Sequence, residues 1–408
     1  MVACLTLVSV LAVALPPLDP PVRYAHVRYP WSAAVQRGAA PPARFYTAVI
    51  GQALRYGLPA SRRPGALWAL AGRVGFPEAA LAVAIRRLPG HPRPELDELV
   101  AAARQGWSDL AARATSLPAS PPPRLSVLAL QRAAALTVFL FGEAPRPLVV
   151  LKVPAADDRR ADLEAECLLE VQAARAAPRF LGRLGEARVQ EGLAGAPLRV
   201  EPLTPRGAAT FAWSPTLDDV ADGIGRLGAA TVNNGPPEDI TGRMELALAY
   251  EGLDARTRRV LSAAWCDIRR SGTSVLRHRD TSPQNCLVLN GRLSGVIDWE
   301  MAVPRGGPGF DVWNLALSYM EYGVGLTRWS QDLVVETFTR AWQDSPFWRD
   351  GRAAARRAAL AGGAAERDLD ALEVCYFGSR IGDRLLRPGY HATGPETVAR
   401  ALRVVCST

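Results

Sequence analysis

Apolar and polar positions divide this chain into stretches of different period. Three runs of six mostly apolar residues, Leu125 to Leu130, Leu136 to Phe141 and Leu148 to Val153, are separated by short breaks. Runs of that length bounded by turn residues predict strands, and their close spacing predicts a β-meander. The period then changes. Between Arg159 and Ala174, Leu163, Cys167, Leu168 and Val171 fall on one helical face, which predicts an amphipathic helix. Beyond Thr216 the pattern is mainly helical, interrupted by two short apolar stretches that flank Asn290-Gly291-Arg292. Asn-Gly suits a two-residue hairpin turn because both residues tolerate positive φ. The pattern as a whole predicts an α+β chain, a small antiparallel sheet followed by a larger helical part.

Upstream the pattern is less regular. Met1 to Pro17 is uncharged, short for a membrane span and without the basic start of a signal peptide. It reads as a buried strand or helix, with a membrane anchor as the alternative. Alanine and leucine dominate Pro77 to Arg87 and Glu95 to Arg104, both expected to be helical. The run Leu117-Pro118-Ala119-Ser120-Pro121-Pro122-Pro123 reads as a semi-rigid linker, since consecutive prolines favour an extended backbone. The expected organisation is a segment without motif over 1–110, a linker over 111–123, a sheet-bearing lobe over 124–192 and a helical lobe over 193–408.

Composition removes several function classes. With 49% hydrophobic and 22% charged residues the chain is an ordinary globular protein. Its formal charge of +8 is spread over dispersed arginines, with no dense basic run and no nucleic-acid motif, so no nucleic-acid partner is expected. Cys4, Cys167, Cys266, Cys286, Cys375 and Cys406 are too scattered for a metal or redox site, and they read as thiols of a reducing cytoplasm. His26, His91 and His391 lack metal-ligand spacing.

Two features carry candidate chemistry. Among 48 basic Lys+Arg residues there is one lysine, Lys152, at the end of the third apolar run. A chain that uses arginine elsewhere keeps one compact ammonium here, where a planar guanidinium is not equivalent. Downstream, His278-Arg279-Asp280 and Asn285 precede the Asn-Gly turn, and Ile297-Asp298-Trp299-Glu300 follows it. A hairpin brings its two ends together, so the Asn285 amide oxygen and the Asp298 carboxylate can share one hard cation, such as Mg²⁺ carrying nucleotide phosphates. Asp280 can then face a substrate hydroxyl as catalytic base.

The stretch His278 to Glu300 resembles the aminoglycoside phosphotransferase family, small-molecule kinases with a protein-kinase-like fold. His-x-Asp-x-x-x-x-Asn is followed by a hairpin ending in Ile-Asp-Trp-Glu, and Asp298 comes 18 residues after Asp280. The resemblance spans roughly 124–390 and implies a two-lobe α+β architecture, with the sheet in the N-lobe and the helices in the C-lobe. It implies ATP and Mg²⁺ as cofactors and a small hydroxylated molecule as acceptor. Asp280 and His278 then form the catalytic pair, His278 bracing the loop. Lys152 meets the phosphates and pairs with a helix glutamate, for which Glu164, Glu166 and Glu170 are candidates and Glu164 is the first choice. Backbone groups at Glu191 and Leu193 contact adenine, and Asp311 braces the catalytic loop. The turn Gln131 to Ala135 lacks the glycine-rich phosphate loop of protein kinases, which motivates a rival reading, a non-catalytic nucleotide-binding module. Acids and arginines are mixed after Glu300 (Glu321, Asp332, Glu336, Asp344 with Arg328, Arg340, Arg349), which does not favour a polycationic acceptor. Trp313, Tyr319 and Tyr322 are candidates for an acceptor pocket, with core packing as the alternative.

Overall fold

A computed structural model of the chain describes residues 24–27, 32–36, 93–132, 135–144, 146–154, 160–172, 176–201, 211–323, 345–387 and 394–407. The apolar run at Met1 to Pro17, the helix expected over Pro77 to Arg87, His91, His391 and the charged residues Arg328, Asp332, Glu336, Arg340 and Asp344 lie outside them. The fold is α+β, and its contacts divide into two compact units.

The first unit takes in the described residues up to Ala165 together with Pro178–Ala194. Its strands are β1 (Tyr24–Val27), β2 (Ser32–Gln36), β3 (Ser126–Arg132), β4 (Ala135–Phe141), β5 (Pro147–Val153), β6 (Phe180–Leu184) and β7 (Ala187–Glu191). They form one antiparallel sheet in the order β1-β2-β3-β4-β5-β7-β6. Val127 lies opposite Leu140 and Leu140 opposite Val149; Ala129 lies opposite Val138, which faces Leu151, which faces Val189. All are buried in one core, because alternate strand positions share a face. Helices α1 (Pro94–Gln105) and α2 (Trp107–Arg113) supply Leu96, Ala103, Trp107 and Leu110 to the same core. The Trp107 indole donates to Pro118 O at 2.8 Å. The proline-rich run, read above as a linker, thus joins two parts of one core, since α1 and α2 have an apolar face and the sheet has an apolar face to receive it.

The second unit takes in Glu166–Ala177 and Gly195–Thr408. Helix α3 (Arg160–Val171) enters it with Cys167, Leu168 and Val171 buried, as its apolar spacing predicts. Then come β8 (Ala196–Pro197), α4 (Pro215–Ala229), β9 (Asn233–Asn234), α5 (Thr241–Ala249), α6 (Ala255–Ser271), β10 (Thr273–Arg277), β11 (Cys286–Leu289), β12 (Arg292–Val296), β13 (Val303–Gly306), α7 (Phe310–Gly323), α8 (Pro346–Ala361), α9 (Leu369–Leu386) and α10 (Pro395–Val405). Local chemistry sets several boundaries. Ser214 and Asp254 accept from the Leu217 and Thr257 amides and cap α4 and α6. Gly272, at φ 68°, ends α6 in the left-handed region. Helix α9 packs against α5, α6 and α10 and buries most of its residues.

Asn290 (φ 53°) and Gly291 (φ 76°) both have positive φ, and Leu289 pairs with Arg292, as a two-residue hairpin requires. Cys286 pairs with Val296, and the Ile297 amide donates to Asn285 O at 2.9 Å. The hairpin therefore brings the two ends predicted to meet into contact.

Candidate active site

In the first unit Lys152 lies between Thr137 and Arg188 in register, one residue after Leu151. Strand alternation turns it to the face opposite the α1/α2 core. There its Nζ meets Glu164 Oε1 at 2.5 Å, with the Glu164 side chain 2% exposed. Glu166 and Glu170 are exposed on the same helix, so of the three candidates only Glu164 reaches the lysine. Two residues earlier Asp162 bridges Arg183 and Arg188, each at 2.5 Å, and the Arg188 bond first among these holds its carboxyl below the usual range. At the end of β7 the Glu191 amide donates to Arg179 O, and the Gly192 amide donates to Leu148 O. A side chain at Gly192 would run into the Pro147 carbonyl, which is why the strand exit carries glycine. Leu193 follows, half-buried and outside any strand.

In the second unit the loop between β10 and β11 is held from below by Asp311 at the start of α7. Asp311 Oδ2 accepts the His278 amide at 2.6 Å, and Oδ1 accepts the Arg279 amide at 3.0 Å. The Thr281 hydroxyl donates to Asp311 O at 2.5 Å. Arg277 supports this brace by bonding Asp311 Oδ1 at 3.2 Å and buried Asp239 at 2.9 Å, its guanidinium lying 5.0 Å over the Phe310 ring. His278 is buried edge-on to Trp299, with 4.7 Å between ring centroids. Its Nδ1 accepts the Asp280 amide at 3.2 Å, and its Nε2 lies 2.9 Å from Ile297 O. A carbonyl can only accept, so the proton sits on Nε2 and the imidazole is neutral. Through these bonds His278 ties the loop to the exit of β12.

The polar groups of the loop face one another. Asn285 Nδ2 donates to Asp280 O at 2.9 Å and to Asp280 Oδ2 at 3.0 Å. Its amide hydrogens are thereby directed to Asp280, and its oxygen is the atom suited to a cation. Burial first, and the charge of Asp298 second, push the Asp280 carboxyl up to about 7. Arg279 (φ 68°) and Asp298 (φ 69°) flank the site in the left-handed region, which non-glycine residues seldom adopt. Among the described residues no three His, Cys, Asp or Glu side chains gather as a metal site. A hard cation at Asp298 would therefore take one carboxylate and one amide from the protein and fill its shell with phosphate oxygens and water, which fits the donor set of a nucleotide-borne Mg²⁺.

The model of the phosphotransferase enzyme family, which carries the abbreviation APH, matches residues 126–358, more than half of the chain. The chain belongs to this family. It is a small-molecule phosphotransferase, and the matched segment includes Lys152, Glu164 and the whole loop and hairpin just described. Solved structures similar to this phosphotransferase include an ethanolamine kinase from Plasmodium vivax, 14% identical over 69% of this chain and 82% of that one, TM-score 0.41. A choline kinase from Cryptosporidium parvum is 11% identical over 71% and 96%, TM-score 0.36. A macrolide 2′-phosphotransferase from Brachybacterium faecium is 16% identical over 74% and 97%, TM-score 0.35. Curated protein sequences give no match. Among the described residues no helix of this phosphotransferase is long and apolar enough to cross a membrane.

Sequence reasoning did not reach Asp239, Arg277, Tyr376, Arg380 and Asp383, which surround the loop from β10, α9 and the segment before α5. In α9, Glu373, Tyr376, Arg380 and Arg384 recur at helical spacing and are buried, a burial that spacing alone does not announce. Trp313 and Tyr319, candidates for an acceptor pocket, are core: Trp313 stacks on Tyr376 and Tyr319 on Phe211 and Phe347.

Proposed function

We propose that the chain transfers the γ-phosphate of Mg²⁺-bound ATP to a hydroxyl of a small molecule. Asp280 accepts the hydroxyl proton, Asn285 and Asp298 hold Mg²⁺, and Lys152, fixed by Glu164, neutralises phosphate charge. The nucleobase bonds backbone groups of the β7 exit; because the Glu191 amide is committed to Arg179, its carbonyl and the Leu193 amide are the groups assigned. The observation that carries this reading is the loop itself, a half-buried carboxylate raised to about 7 beside an amide and a second carboxylate, inside a segment of the phosphotransferase family.

Phosphoryl transfer asks the protein mainly for positioning and electrostatic stabilisation. When bound, the cation offsets charge on the phosphates. The protein's own contribution is to hold Asp280 at one geometry. Asp311 fixes the backbone on its N-terminal side, Asn285 fixes its carboxylate, and His278 fixes its amide. A base whose pKa lies near the working pH combines a large ionised fraction with useful basicity.

Calorimetric titration of the purified protein with ATP and Mg²⁺ tests the reading, with Asp298→Ala and Asp280→Ala as comparisons. ATP binding that requires Mg²⁺, weakens in Asp298→Ala and survives in Asp280→Ala, while Asp280→Ala abolishes turnover, is the expected result. No binding at millimolar ATP, or turnover retained by Asp280→Ala, overturns it.

A further inference from the structure

Three cations stand side by side on one face of the first unit's sheet. Lys152 of β5 lies opposite Arg188 of β7, and Arg188 lies opposite Arg183 of β6. Residues directly opposite in an antiparallel pair share a face, with Cβ atoms about 4.5–5.5 Å apart. Like charges placed so repel, and each needs a counter-charge unless water screens it. Arg183 is exposed, so water serves it. Lys152 and Arg188 are enclosed, their side chains 18% and 7% exposed.

The start of helix α3 supplies the counter-charges. Glu164 meets Lys152, and Asp162 meets both Arg188 and Arg183, all at 2.5 Å. Among the described residues Asp162 is the only carboxylate within ion-pair distance of Arg188. It takes Nη2 of the guanidinium, while Nε of Arg188 is a buried atom without a hydrogen-bond partner. The other carboxylate that α3 brings to this face is Glu164, held by the lysine that stands beside Arg188 in register. A buried guanidinium with an unfilled donor thus sits one strand away from the carboxylate on which the lysine's position depends. A guanidinium takes a carboxylate with two parallel N–H bonds, whereas an ammonium offers a point charge. In open competition Arg188 therefore draws Glu164 away from Lys152.

We propose that Asp162 is a positioning residue: by occupying Arg188 it reserves Glu164 for Lys152, and so keeps the ammonium where it meets nucleotide phosphate. This rests on the phosphate role given to Lys152 above. Asp162 touches neither nucleotide nor acceptor in that reading and acts only through which cation Glu164 serves. A bridge that merely pinned α3 to the sheet would behave differently. Cutting such a bridge from either end does the same harm, and cutting both ends repairs nothing. In the reserved arrangement the two residues oppose each other. Loss of Asp162 frees a rival for Glu164, and loss of Arg188 as well removes that rival.

Calorimetric titration with ATP and Mg²⁺ separates the two cases. Asp162→Asn, which keeps the shape of the side chain, should weaken ATP binding on the order of tenfold, the size of one charge-assisted bond. Adding Arg188→Met should restore the affinity to within about twofold, the usual error of such cycles. In a Glu164→Gln background Asp162→Asn should cause no further loss. An Asp162→Asn variant that binds ATP like the unaltered protein, or a double variant as weak as Asp162→Asn alone, overturns the reservation. Should Asp162→Asn not fold by circular dichroism, the double variant, which leaves no buried cation unmatched, carries the test by itself. Near-unaltered affinity then supports the reservation, and a loss of about tenfold overturns it. Lys152→Met guards the reading beneath. If it binds ATP as tightly as the unaltered protein, or if the unaltered protein binds none, the phosphate role of Lys152 falls rather than the part given to Asp162.

Discussion

Asp280 is a carboxylate whose surroundings oppose its charge. Burial and the neighbouring Asp298 raise it to about 7, so near neutral pH the nucleotide-free protein holds this carboxyl about half protonated. Two outcomes follow at this scale. In the proposed reading, Mg²⁺ arriving with ATP at Asp298 would offset the repulsion and lower the pKa of Asp280, so binding at pH 7 should release on the order of half a proton. Calorimetry in buffers of different ionisation enthalpy measures that release, and a buffer-independent heat difference between the unaltered protein and Asp280→Asn would refute it. Stability supplies the second. A carboxylate with a raised folded pKa contributes its stabilisation fully below its unfolded pKa and loses it as pH rises through about 7. Asp280→Asn should therefore raise the melting temperature of the nucleotide-free protein at pH 8 and leave it nearly unchanged at pH 4. That Asp280, Asn285 and Asp298 come together was legible in sequence because their spacing is tied to a hairpin. The positive φ of Arg279 and Asp298 was not, since neither residue type announces it.

At the scale of elements, the catalytic loop is shaped by what packs beneath it. Asp311 carries the His278 and Arg279 amides and the Arg277 guanidinium on two oxygens. Asp311→Ala removes all three bonds and leaves Arg277 with Asp239 alone. A loop freed by even an ångström loses near-attack geometry, so kcat should fall on the order of 100-fold. Because Asp311 touches neither nucleotide nor acceptor in the proposed reading, the KM for ATP should change little. Steady-state kinetics separates the two, and a variant that raised KM at unchanged kcat would place Asp311 in ground-state binding instead. The hairpin was legible because Asn-Gly specifies a turn and fixes the register on both sides. The buried polar stripe of α9 was not, because glutamate and arginine at helical spacing read in sequence as a solvated face. Only its partners on α7 and α8, Trp313, Glu321 and Arg352, show that this face is enclosed.

For the whole molecule, the sheet of the first unit shares its core with helices that precede the proline-rich run. The family match begins at residue 126, and composition alone suggests a domain boundary just before it. Yet Leu96, Ala103, Trp107 and Leu110 occupy the same core as Val127, Val138, Leu140, Val149 and Leu151. Their spacing along α1 and α2 is a helical stripe that had to be buried somewhere, but sequence gives no sign of which surface receives it, because the partner strands lie beyond an apparent linker. Trp107 is the largest side chain of α1 and α2 in this core, 1% exposed and bonded to Pro118. Trp107→Ala should cost about 3–5 kcal/mol. A chain shortened to begin at Leu125 should lose more, exposing the apolar face of β3, β4 and β5 to water. Such a face binds hydrophobic dyes and associates with copies of itself. The shortened chain should therefore bind an environment-sensitive dye, and its near-ultraviolet circular dichroism should melt without a sharp transition. A soluble, cooperatively melting product would show that β3 to β7 are stable without β1, β2, α1 and α2, and that the proline-rich run joins two independent bodies after all.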